Sequence, residues 1–280
     1  ARREDRRKSG KAESTGGAAE FGRDGRPKKP QAEIQIWDAA GKKIRTFEQD
    51  ATLGVNRAIW DLRRDSFKKA ARKRSDDFFP RRGPDVLPGT YKVKVTYGGK
   101  SAEGSVLVSP DPRVTYADGA REANAAAIDE LGALIEDTAK AIERVTRTKA
   151  DLKLVLDRAK KREDDRKKLA GTSETSAEAK ALEQEGKALR EKIEKVERAL
   201  WISDDFVGRP ARTDLENRLD ETVRFLQSSW EAPTATQRQT VDRVKEIAAD
   251  VLAAAEKLFR EDVPAFRSKA AAEDLELLGE

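Results

Sequence analysis

The chain contains no cysteine and no histidine. Without cysteine it can form no disulfide, thiolate nucleophile or thiolate metal site. Without histidine it lacks the usual general base and the commonest metal ligand, which excludes serine–histidine chemistry. Only carboxylate or lysine chemistry remains, and among so many surface Asp, Glu and Lys residues no pair stands out. The sequence therefore predicts no catalytic residue, no cofactor and no metal site. The missing thiols suit an oxidising and a reducing compartment equally. No apolar run approaches 18 residues and no charged-apolar-small signal opens the chain, so no transmembrane segment is expected. The first residue is Ala1 and not methionine, as in a processed or trimmed product.

What is present is charge. Of the 280 residues 39% are charged and 37% hydrophobic, a lean supply for a core. It suits long solvent-washed helices that each bury one narrow apolar stripe. The net charge of +5 is unevenly divided: residues 1–112 hold 26 Lys and Arg against 16 Asp and Glu, so the front is basic and the remainder acidic. A basic front can meet phosphates or acidic protein, or can simply keep the chain soluble.

Residues 1–30 mix charge, Gly and Pro with almost nothing to bury, as an extended or disordered lead does. Within them GAAEF at 17–21 is a candidate edge strand. From Ala32 the pattern changes. Ile34 and Ile36 alternate with polar neighbours, residues 38–41 supply a turn, and residues 43–47 complete a hairpin. Trp60, on the same face as Ala58, is the expected large core residue. Pro88 and Gly89 turn the chain into LPGTYKVKVTY at 87–97, whose period-two alternation is that of a half-buried strand. Gly98-Gly99 then leads to a strand ending with Val106 and Val108 facing inward. Five or six short strands at this spacing predict a small immunoglobulin-like β-sandwich over residues 31–110.

An insertion at 62–85 interrupts that pattern with nine Lys and Arg against four Asp and Glu. It reads as too polar for core. Basic residues interleaved with phenylalanines give it the composition of a nucleic-acid or phospholipid contact, without spaced stacking platforms on strands. Its candidate partner-binding residues are Arg63, Arg64, Lys68, Lys69, Arg72, Lys73, Arg74, Phe78, Phe79, Arg81 and Arg82. Phe78 and Phe79 either tuck the loop back on the sandwich or anchor a partner.

Pro110-Asp111-Pro112 ends the sheet region. Residues 113–280 then read as an elongated antiparallel bundle of about four helices, making the fold class α+β and multidomain. The first helix follows a Thr115–Asp118 capping pair and runs to about Leu169, with Leu131, Ile135, Thr138, Ile142, Val145, Leu152 and Leu156 on one stripe and Lys149 as a charged intruder. The second starts at a Thr175–Glu178 capping box and carries Leu182, Gly186, Leu189, Ile193, Val196 and Leu200. The third carries Leu215, Leu219, Val223, Leu226 and Trp230. The fourth starts at Thr234 with Gln237 and carries Val241, Val244, Ala248, Val251, Ala255 and Leu258, until residues 262–264 bend the chain into an amphipathic tail around Phe266 and Leu275. The alanines at 248–249 and 253–255 are a candidate dimer face.

The order DAAGKKIRTF, GVNRAIWDLRRD, GPDVLPGTYKVKVTYGGKS and VSPDPRV resembles the region that follows the propeller in bacterial sortilin-like, BNR-repeat glycosyl hydrolase proteins. Gly41, Asn56, Trp60, Asp61, Leu62, Arg63, Pro88, Gly89, Thr90, Tyr91, Asp111, Pro112 and Arg113 match recurrent positions of an Ig-like module similar to that of flagellar hook-capping proteins. The resemblance implies an exported, extracytoplasmic protein. It does not carry the hydrolase activity over, because glycosidase carboxylates would belong to the propeller and no Asp-box repeat occurs here. The expected function is a non-catalytic structural or interaction module, an accessory or scaffold subunit that stabilises a larger assembly. Its expected partners are proteins, at the extracytoplasmic face of a membrane complex, and not nucleic acid or a small-molecule substrate. Two alternatives stay open: a sugar-binding accessory domain using Trp37 or Trp230, and binding of an acidic partner or nucleic acid through the basic insertion.

Overall fold

A computed structural model describes residues 30–72, 82–203, 206–208 and 211–273. The fold class is α+β, a four-stranded antiparallel sheet and a set of helices. The chain divides into two compact units, residues 30–61 with 90–107 and residues 62–89 with 108–273. The lead, with its candidate strand GAAEF, lies outside the described residues apart from Pro30, whose carbonyl accepts from the Ala51 N–H. No described helix is long and apolar enough to cross a membrane.

In the first unit β1 (Gln31–Trp37) and β2 (Lys43–Asp50) form the expected hairpin, closed by a turn in which the Asp38 carboxylate accepts from the Ala40 and Lys42 N–H groups. β3 (Gly89–Tyr97) and β4 (Lys100–Val108) complete the sheet in the order β2-β1-β3-β4. Register places Ile34 opposite both Phe47 and Val95, and Ile36 opposite Val93, so one face is apolar across three strands. Ile34, Ile36, Ile44 and Tyr91 are buried.

Two expectations fail in this unit. Residues 58–61 form no strand. Trp60 is only half-buried and packs edge-on against Tyr91 with ring centroids 5.4 Å apart. β4 is exposed along almost its whole length, Val106 and Leu107 included, and Val108 is half-buried. Period-two patterning identifies a strand but does not say whether a second layer covers it.

The second unit is built on α1 (Ala120–Ala170), 51 residues and about 77 Å long. Gly119, with φ 72°, precedes it in the left-handed region that glycine tolerates, so the expected Thr115–Asp118 cap is not used. α2 (Ala177–Leu200) is capped by Ser176, one residue after the expected Thr175, its hydroxyl accepting from the Ala179 N–H. Ser176 meets Glu163, Gly186 meets Leu156 and Glu197 meets Lys149, so α2 runs back antiparallel along the distal half of α1. α3 (Leu215–Leu226) starts at Asp214 and ends at Leu226, short of Trp230. α4 (Ala235–Lys257) opens on the expected Thr234–Gln237 capping box. Lys245 pairs with Glu130 and Glu256 with Arg144, so α4 runs parallel to α1.

A π-helical turn, Leu258–Asp262, leads directly into α5 (Val263–Ala272). The sequence predicts a bend here, yet helical backbone continues. The wider turn and a position in the first turn of α5 accommodate Pro264, which has no N–H to donate. Lys192 pairs with Asp262 and Lys269 with Glu185, placing α5 antiparallel to α2. Lengthwise, α2 and then α3 follow one lane beside α1, and α4 and then α5 follow another. One cluster joins them, with Leu131, Ile142, Val145, Ile193, Leu200, Leu215, Leu219, Leu226, Ala248 and Leu258 nearly inaccessible.

Candidate functional site

Residues 62–72, read from sequence as the start of an exposed insertion, pack along α1 and α3 as a strap. As the strap advances from Arg64 to Arg72, its partners advance along α1 from Asp129 to Glu136 and retreat along α3 from Asp220 to Glu216. α3 is therefore antiparallel to α1, and the strap is a further lane between them. Two apolar contacts seat it. Ala70 is 3% exposed and belongs to the helical core. The Phe67 ring lies over Gly132, where an added Cβ would come within 2.1 Å of a ring carbon, so only glycine admits it.

Charge then fastens the strap. The Arg64 guanidinium donates two bonds, 3.1 and 2.6 Å, to the Asp129 carboxylate. Lys69 pairs with Asp220. Arg72 pairs with Glu216, which is nearly buried, donates to the Ile202 carbonyl at 2.9 Å, and stacks over the buried Trp201 at 4.7 Å from the ring centre. That last set bridges the break between α2 and α3. Bidentate and shared contacts of this kind fix geometry as well as adding energy.

The strap is held at its other end by the returning chain. The Arg64 N–H donates to the Pro84 carbonyl and the Val86 N–H to the Leu62 carbonyl, with Arg63 paired to Asp85 at 3.0 Å. Gly83 has no room for a side chain, since a Cβ would fall 2.1 Å from the Arg64 carbonyl oxygen. Asp85 also accepts from the Trp230 indole N–H at 3.1 Å. The Arg121 guanidinium lies over both Trp230 and Tyr116, 4.6 and 4.9 Å from the ring centres. The buried Asn124 amide donates to the Leu226, Ser229 and Glu231 carbonyls and so holds the α3–α4 connection in place. Arg64, Asp85, Arg121, Asn124, Ile128 and Trp230 contribute to the walls of a cavity of about 30 Å³. That space is roughly tenfold below what a drug-sized ligand occupies.

The eleven residues named from sequence divide accordingly. Arg63, Arg64, Lys69 and Arg72 are tied to carboxylates of this same unit. Lys68 presents an exposed side chain while its N–H donates to Glu136, and Arg82 is exposed. Lys73, Arg74, Phe78, Phe79 and Arg81 lie outside the described residues. The expectation that the insertion is too polar for core is corrected at Ala70 and Phe67. Gly132 was the overlooked signal: an isolated glycine inside a helical stripe costs about 1 kcal/mol against alanine, and here it admits an aromatic ring. Lys149, the intruder on the α1 stripe, is matched by the buried Glu197 at 2.5 Å.

One carboxylate is strongly perturbed. Glu163, on α1, accepts from Arg166 and from the Ser176 N–H and hydroxyl, latching the α1–α2 turn. The Arg166 guanidinium first and the Ser176 N–H second hold its pKa down at about 2. The group stays ionised and acts as a latch, not as an acid or base.

Among the described residues no group of three or more Asp or Glu side chains is placed to hold a metal ion. No protein-family model, curated protein or solved structure matches this chain.

Proposed function

We propose that the chain is a non-catalytic structural and interaction module, an exported accessory or scaffold subunit that stabilises a larger protein assembly. In this reading the sheet unit is an Ig-like module, the helical unit an antiparallel bundle, and the chain an exported one, a location supported only by the resemblance of its sequence to the post-propeller region of sortilin-like proteins. The observation that carries the reading is the fastening of residues 62–72: a basic, loop-like stretch of the sequence is built into the helical unit by a ring contact, a buried alanine and four charged pairs. Polar side chains that a binding or catalytic site would leave pointing into a cleft are engaged in holding a long helical scaffold together.

The test is isolation of the native complex that contains the chain, with intact mass and stoichiometry measured before and after washing at ~0.15 M salt, where exposed charge contacts beyond about 8 Å are screened. A fixed stoichiometry after the wash supports a scaffold subunit, and complete loss into the supernatant overturns it. The sugar-binding alternative receives less support, because one face of Trp230 is covered by Arg121 and its N–H is bonded to Asp85. Tryptophan fluorescence is expected to stay flat across a series of oligosaccharides.

A further inference from the structure

The sheet unit carries one apolar stretch that its own strands leave uncovered. Residues 52–59 are exposed without interruption, Leu53 at 106%, Val55 at 102% and Ile59 at 77%. A row of large apolar side chains in water is what a contact site presents. The stretch is nonetheless held in shape. The Asn56 amide donates to the Thr52 and Gly54 carbonyls at 2.8 and 3.1 Å, and its oxygen accepts from the Thr52 N–H and hydroxyl at 2.8 and 3.1 Å. At the far end Trp60 is half-buried and packs on Tyr91. Residues between two such fixed points have little freedom left to lose on binding.

The backbone identifies the kind of molecule that fits. Among the described residues Val55, Arg57, Ala58 and Ile59 make no hydrogen bond, so their N–H and C=O groups are open to a partner. Val55, Arg57 and Ile59 alternate with Asn56, Ala58 and Trp60 in the period of a strand, and Trp60 is the member turned onto the sheet. A strand pattern with free donors and acceptors is an edge without a neighbour. A lipid surface does not suit it. Hydrocarbon satisfies no backbone group, and residues 51–60 contain a single charged side chain, Arg57, where anionic headgroups call for several cations. A helix keeps its backbone bonds to itself. An extended segment of another protein satisfies both the backbone and the apolar row. On the reading of the chain as an interaction module, we infer that residues 55–59 are the docking edge for an extended strand of a protein partner. That strand pairs with their backbone, covers Leu53, Val55 and Ile59 with apolar side chains and sets a carboxylate against Arg57.

The test is amide hydrogen exchange on the full chain, free and within the isolated native complex. In the free chain the amides of residues 57–59 are expected to exchange as in an unprotected peptide, and in the complex at least about tenfold more slowly. Arg57→Pro and Ala58→Pro between them remove the donors on both sides of a strand. At least one of them should cut retention of the chain in the complex about tenfold or more, while Ala58→Ser retains it. All three positions of change are exposed, so the urea midpoint of the free chain should not move, and the exchange comparison itself needs no variant. A complex of fixed stoichiometry in which these amides exchange as fast as in the free chain overturns the docking edge and leaves the interaction module standing. A chain recovered alone, with the amides unprotected, overturns both. Protection that arises in the free chain as its concentration is raised gives the edge to a second copy, and protection on adding phosphatidylglycerol vesicles gives it to lipid; either result overturns the assignment to a partner strand.

Discussion

Two stretches of this chain look alike on paper. Residues 62–72 and residues 158–169 are both short, rich in Lys and Arg, and punctuated by a few apolar side chains. In the folded chain they differ in what stands opposite. Across from the first lie Asp129, Asp220 and Glu216, together with a glycine that admits Phe67, and the segment becomes part of the helical core. The second is latched at Glu163 to the α1–α2 turn and otherwise keeps its side chains exposed, Leu169 almost fully. A run of positive charge is thus neither a binding surface nor a structural strap by itself. The acidic residues that decide the matter are 65 to 151 positions away in sequence for the strap, as the Arg64–Asp129 and Lys69–Asp220 pairs illustrate.

The comparison can be broken most forcefully at its apolar anchors. Ala70→Asp places an unpaired charge at a site 3% exposed and should cost about 3 kcal/mol or more, read as a fall in the urea midpoint. Leu169→Asp, on the open stretch, should stay within about 0.5 kcal/mol of the parent. If the two cost the same, the strap is not core.

Next in size is Arg72→Met. It leaves the nearly buried Glu216 and the Ile202 carbonyl without their donor, and about 2 kcal/mol is expected. The same denaturation measurement checks it.

Gly132→Ala follows at about 1 kcal/mol net. Overpacking against Phe67 costs roughly 1–3 kcal/mol, partly offset by about 1 kcal/mol of better helix propensity. In a Phe67→Ala background the sign should reverse and Gly132→Ala should stabilise. A double-mutant cycle that shows no coupling between the two positions would remove the ring contact from the account.

Glu163 offers a pH test on the stretch that the strap leaves alone. Its carboxyl, ordinarily near 4.5, is held at about 2 by Arg166 and the Ser176 N–H. Because the folded value is depressed, the latch contributes fully above pH 4.5 and is lost as pH falls towards 2. The difference in urea midpoint between the parent and Glu163→Gln should therefore shrink over that window, and a constant difference would count against the latch.

The smallest effects compare the two stretches through exposed charge alone. Arg64→Ala removes a bidentate pair to a half-exposed Asp129 and should cost less than about 1 kcal/mol. Lys161→Ala should cost nothing measurable in the same denaturation series.

Much of the helical unit was legible because its signals are local. The 3.6-residue stripes at 131–145, 182–200 and 241–258 depend only on spacing, and the Thr234–Gln237 box satisfies N–H groups within one turn. The β1–β2 hairpin and β3 were legible for the same reason, since alternation and turn residues act over a few positions. Helix starts slipped where a competing residue stood next door, as Gly119 and Ser176 did. The strap was not legible. Its identity depends on Gly132, Asp129, Asp220 and Glu216 converging on residues 64–72, and no property of those residues alone marks the others as neighbours.

By itself, then, the sequence determined the absence of thiol and imidazole chemistry, the α+β class, the positions of most helices and the uneven spread of charge, because each follows from composition or from spacing along the chain. Only the tertiary structure decided that one basic stretch is fastened into the core while another keeps most of its side chains exposed at the end of α1. Charge of one sign acquires its meaning from the carboxylates and cavities that folding brings across from it, and those come from distant parts of the chain.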